Sequence, residues 1–78
     1  MKIELNRKND RIVIATTEFM GKKYVDIRSY YFKDEEFKPG KGITLKTKEE
    51  VKFVLDALAN NVKEIEQWLE YNPNNKVK

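Results

Sequence analysis

The 78-residue chain has no cysteine and no histidine, and it carries only three glycines, two prolines and one tryptophan. The first two absences remove a zinc site of the usual Cys/His kind and any disulfide staple. They also remove nucleophilic chemistry that rests on either residue. No apolar run approaches the roughly 20 residues that span a bilayer. The opening "MKIELNRKND" lacks the apolar core of a secretory leader, so the expected location is the cytoplasm. A domain this small buries only about 60% of its unfolded surface. Stability must therefore come from a compact core, a partner chain, or both.

The few glycines build no nucleotide loop. Read back from Gly40-Lys41, the G-x-x-x-x-G-K-[ST] pattern needs glycine where Glu35 stands, and Ser or Thr where Gly42 stands. The G-x-G-x-x-G pattern needs glycine at Leu45 and a crossover helix that does not open there. What remains of "FKPGKGITL" is an expected turn at Pro39-Gly40, flanked by Lys38 and Lys41, with Gly42 entering a short strand, residues 42–45. No nucleophile–base pair is present, and the chain reads as a non-enzyme that needs no cofactor or metal. The acidic run "KDEE", residues 33–36, reads as a solvated turn and not a metal site, because consecutive side chains on an extended chain diverge.

The net charge of +3 is unevenly placed. Residues 1–46 hold eleven Lys/Arg against seven Asp/Glu, a balance of +4, and residues 47–78 hold five against six, a balance of −1. Six of the nine aromatics (Phe19, Tyr24, Tyr30, Tyr31, Phe32 and Phe37) fall in the basic half. Interleaved cations and aromatics are the material of single-strand nucleic-acid binding. The plainer alternative is that aromatics suit strands and lysines keep them soluble.

"RIVIATTEF" is rich in β-branched residues and reads as a strand. "MGKK", residues 20–23, is a turn in which Gly21 can take positive φ, and "KYVDIRSYYF" is a second strand, so residues 11–32 form a hairpin. In the second strand Val25 and Ile27 point to one face, and Tyr24, Asp26, Arg28 and Tyr30 to the other. One face suits a core; the other suits solvent or a ligand. "IEL" near the N-terminus adds a further strand or a short arm.

Thr47 and Glu50 form a T-x-x-E capping box, and Glu49 and Glu50 suit the positive end of a helix dipole. The helix then runs over residues 48–71 until Pro73 stops it. Val51, Leu55, Leu58, Val62, Ile65 and Leu69 recur at steps of four and three, with Val54 and Trp68 widening the stripe. An unbroken helix of this length is roughly 36 Å long, against about 17–20 Å for an ordinary strand. The second half of the stripe therefore needs another surface. A second copy of the chain is the simplest source, with Leu58, Val62, Ile65, Trp68 and Leu69 as the interface. Asn60 and Asn61 are weak helix formers where a kink would shorten the rod. The expected organisation is one domain over residues 1–72 and a flexible basic tail over 73–78, whose lysines add weak, non-specific attraction.

Three blocks in order carry a family resemblance: Phe19-Met20-Gly21-Lys22, Asp26-Ile27-Arg28-Ser29-Tyr30-Tyr31, and Lys38-Pro39-Gly40-Lys41-Gly42-Ile43-Thr44-Leu45. Over about residues 11–58 the chain resembles the positive-cofactor-4 family of transcriptional coactivators, small single-stranded-DNA-binding proteins. The resemblance implies an α+β fold, a four-stranded antiparallel sheet followed by one long helix, paired through the helices as a homodimer. It also implies that Phe19 and Tyr31 stack on bases, and that Lys22, Arg28, Lys38 and Lys41 meet phosphates. With Tyr30 from the strand alternation, these seven residues are the candidate site. The implied partner is single-stranded DNA, with RNA as the alternative and the transcription or replication machinery as further partners. Met20 stands where the family usually has lysine, Tyr31 where the animal proteins have tryptophan, and one residue is missing beside Lys41. The regulatory arm of the animal proteins has no counterpart, which fits a bacterial or phage member. The rival reading is a protein-interaction module that uses the helix stripe.

Overall fold

The structure is a computed structural model and describes residues 1–70. The expected tail, residues 73–78, lies outside the described residues. The chain divides into two compact units, Met1–Lys48 and Glu49–Lys78.

The first unit is an antiparallel meander of four strands in the order β1-β2-β3-β4. The strands are β1 (Lys2–Asn6), β2 (Asp10–Phe19), β3 (Lys22–Lys33) and β4 (Glu36–Leu45). The N-terminal "IEL" is thus a strand of the sheet and not an arm. The β2–β3 connection is the two-residue turn Met20-Gly21, with φ of 53° and 78°. Two left-handed residues give the type I′ twist that matches paired strands, and glycine takes the second position without steric cost. The β3–β4 connection repeats this geometry at Asp34-Glu35, with φ of 54° and 65°. The acidic run is therefore a turn, as its sequence suggests.

Pro39-Gly40 is not a turn. Both residues lie inside β4, which continues from Glu36 to Leu45. The register shifts there: Arg28 pairs with Gly42, but Tyr30 pairs with Pro39. Gly40 and Lys41 together oppose Ser29, a β-bulge of one extra residue. Proline is tolerated because β4 is an edge strand, where a missing N–H need not break a ladder. Gly42 is required by space: a Cβ there would lie 2.5 Å from the Ile27 carbonyl oxygen and would also meet Cα and Cβ of Arg28.

The strand alternation assigns two faces. On the first, Ile3, Ile14, Ile27 and Ile43 form a row across all four strands, flanked by Leu5 and Ile12 and by Val25 and Leu45. The second carries Arg11, Val13, Phe19, Lys22, Tyr24, Asp26, Arg28, Tyr30, Phe32 and Phe37. Val13 and Leu45, one from each face, are the buried hydrophobic residues among those described. Ile3, Leu5 and Ile43 are each more than half exposed.

Two helices follow the sheet, α1 (Lys48–Ala59) and α2 (Val62–Glu70), where one long helix is expected. α1 starts immediately after Thr47, where the capping box places its N-terminus. The break falls at Asn60-Asn61. The Asn61 side-chain Nδ2 donates to the Ala57 carbonyl at 2.8 Å, occupying an acceptor at the end of α1. The Asn61 carbonyl in turn accepts from Ile65 N at 2.9 Å, the first bond of α2. One asparagine closes one helix and opens the next, consistent with its liking for local side-chain-to-backbone bonds. Leu58, Trp68 and Leu69 are exposed, and Ile65 is half-buried.

Candidate nucleic-acid interface

The hairpin tip brings two candidates together. Phe19 pairs with Lys22 across the Met20-Gly21 turn, and Phe19 is 65% exposed. An exposed aromatic and an ammonium thus stand side by side on the second face.

Further along β3, Arg28 lies on the same face and is already engaged. Its Nε donates to Asp26 Oδ2 at 2.8 Å and its Nη2 to Asp26 Oδ1 at 2.9 Å. This is the two-pronged geometry for which guanidinium and carboxylate are matched. The remaining nitrogen, Nη1, reaches across to the Gly40 carbonyl at 2.9 Å. Thr44 Oγ1 adds a fourth bond, to Asp26 Oδ1 at 3.0 Å. Arg28 therefore ties β3 to the bulged segment of β4. The same hydrogen bonds from Arg28 hold the Asp26 carboxyl below the usual carboxylate range. Partial burial opposes that lowering, and Thr44 reinforces it. Asp26 in return raises the Arg28 guanidinium further, so it stays charged throughout the accessible range.

Tyr31 and Lys38 pair with each other but project from the first face, opposite Phe19, Lys22, Arg28 and Tyr30. Lys38 Nζ approaches Asp34 at 3.6 Å and Glu36 at 3.9 Å, so its charge is partly offset. Lys41 is exposed at the bulge, and its carbonyl accepts a long bond of 3.4 Å from Ser29 Oγ. Lys22 and Lys41 form no ion pair within 4 Å among the described residues. The seven candidates thus fall into two groups, four on one face and three at the bulge and its neighbouring strand end.

Asp26, Thr44 and Gly42 belong to this arrangement, though none is among the seven candidates. The signal for Asp26 was present: an acid two residues before an arginine on one strand shares its face.

The family model of transcriptional coactivator p15 (PC4) matches residues 6–55. That span holds the whole sheet from β2 to β4 and all seven candidate residues, and it covers more than half of the chain. The chain belongs to the PC4 family. This is the same family that the three sequence blocks resemble, a non-enzymatic family of single-stranded-DNA-binding transcriptional coactivators. No curated protein and no solved structure matches the chain.

Proposed function

We propose that this PC4-family chain binds single-stranded DNA with little sequence preference and acts in transcription regulation. The observation that carries the reading is the family match over the segment that holds every candidate residue. Phe19, Tyr30 and Tyr31 stack on bases, each engaged base contributing roughly 1–3 kcal/mol. Lys22, Lys41, Lys38 and Arg28 meet phosphates, with Lys22 and Lys41 as the readiest because no carboxylate among the described residues pairs with them. A strand that touches both groups of residues crosses the exposed β4 edge at the bulge, where Lys41 stands. RNA offers the same phosphates and π-faces and is the second substrate class.

The functional unit in this reading is a homodimer. Among the described residues few apolar side chains are buried, and the helices present Leu58, Val62, Trp68 and Leu69 to solvent. A second copy covers this stripe. The rival, a protein-interaction module, rests on the same exposed stripe and on the modest net charge.

A fluorescence-anisotropy titration with oligo-dT and with a duplex, at two salt concentrations and paired with sedimentation, tests the proposal. Preference for oligo-dT supports it. Absence of oligonucleotide binding promotes the rival.

A further inference from the structure

Beyond Tyr30, the second face carries two aromatics that lie between the family's sequence blocks. Phe32 and Phe37 are paired across β3 and β4. Their ring centroids are 5.1 Å apart at an interplanar angle of 69°, an edge-to-face contact. The Arg11 guanidinium carbon lies 3.8 Å from the Phe37 centroid. Arg11 is held in place by Glu4, whose Oε2 accepts from Nη1 at 3.2 Å. One face of Phe37 is therefore occupied by a cation, and an edge-to-face contact takes up another part of the pair. Phe32 is 57% exposed, against 39% for Phe37, so more of its surface is left for a further contact.

Phe32 is a large aromatic left in water at the far end of β3. The surroundings favour one occupant. The face bears Lys2, Arg11, Lys22 and Arg28 against Glu4 and Asp26, an excess of positive charge that suits a phosphate chain. Its aromatics recur along β3 at Tyr24, Tyr30 and Phe32, with Phe19 at the hairpin tip. From Lys22 to Phe32 is ten residues of strand, about 33 Å.

We propose that Phe32 is a further base-stacking platform, with Phe37 and Arg11 as the positioning residues that steady it. It takes an unpaired nucleobase of the same strand that engages Phe19 and Lys22, and it lengthens the binding track on the second face. This inference rests on the single-strand reading above. Arg11 serves here by orienting Phe37, over whose ring its guanidinium lies.

The test is an anisotropy titration of full-length wild type and Phe32 variants against oligo-dT of about 4 to 16 nucleotides, the range of known single-strand site sizes. Phe32→Leu keeps the apolar bulk and removes the π-face. It should weaken binding of the longer oligonucleotides about tenfold. It should leave the shortest little changed, so that the affinity plateau is reached at fewer nucleotides. Phe32→Trp should restore or exceed wild-type affinity. Sedimentation of each variant reports the oligomeric state. Wild-type binding with an unchanged Phe32→Leu curve at every length overturns the platform alone. So does a loss that coincides with a change in oligomeric state, which would make Phe32 a contact between copies. A wild type that binds no oligo-dT overturns the single-strand reading itself.

Discussion

Arg28 and Asp26 are joined by two parallel hydrogen bonds of 2.8 and 2.9 Å on one face of β3. The third arm of the guanidinium reaches the Gly40 carbonyl on β4. A residue that the family resemblance assigns to phosphate is thus also the tie that holds the bulge.

Asp26→Asn separates these roles. The amide cannot accept the fork as a carboxylate does, so thermal stability should fall. Freed from its counter-charge, Arg28 should add to the salt dependence of binding, steepening the slope of log K against log[salt] by up to about 0.7. A slope unchanged both here and in Arg28→Ala would mean that Arg28 does not meet phosphate.

The same pair sets a pH dependence. The folded Asp26 carboxyl is depressed by Arg28, below the unfolded value of about 3.9. Its contribution is therefore complete above that value and is lost as pH falls through the lowered folded one. Arg7 depresses Asp10 in the same direction. Chemical denaturation of the wild type should show stability declining below about pH 4. The decline should be shallower in Asp26→Asn, and equal declines would remove Asp26 as a cause.

Gly42 and Gly40 should respond differently to alanine. At Gly42 the added Cβ meets backbone atoms of Ile27 and Arg28, which cannot swing away. At Gly40 the nearest atoms are Ser29 Oγ at 3.1 Å and the Ser29 carbonyl oxygen at 3.2 Å, which need only small shifts. Gly42→Ala should cost about 1–3 kcal/mol or more by urea denaturation, the range for overpacking, and Gly40→Ala clearly less. Equal costs would contradict the close approach at Arg28.

Glu35 occupies the second position of a type I′ turn at φ 65°, where glycine is favoured. Left-handed backbone costs a residue with a Cβ roughly 1–2 kcal/mol, and the greater unfolded-chain freedom of glycine offsets part of that. Glu35→Gly should raise stability by about 0.5–1 kcal/mol in the same assay. A loss of stability would argue against the turn geometry.

The sheet was legible where local signals agreed. β-Branched runs, the Gly21 turn and the alternation around Arg28 located β2 and β3 to within a residue or two. "PGKG" misled because proline and glycine usually punctuate chains. Here proline sits on an edge strand and Gly42 answers a tertiary demand, the approach of Arg28, that no local pattern announces. The actual turn at Asp34-Glu35 has no glycine to mark it. The helix break was signalled only weakly, by two asparagines whose capping bonds depend on Ala57 and Ile65. Of the site, the residue types were readable, but their division between two faces became plain only once the strands were in register.

Single-strand binding is tested most directly by titrating oligo-dT across a salt series, with a duplex of equal length alongside. Clear preference for the single strand is expected, with a slope between about −1.4 and −2.8 per protomer, set by two to four phosphate contacts at about −0.7 each. Arg28→Ala and Tyr31→Ala should each bind more weakly. Equal affinity for duplex and single strand, or no salt dependence, would contradict the single-strand reading.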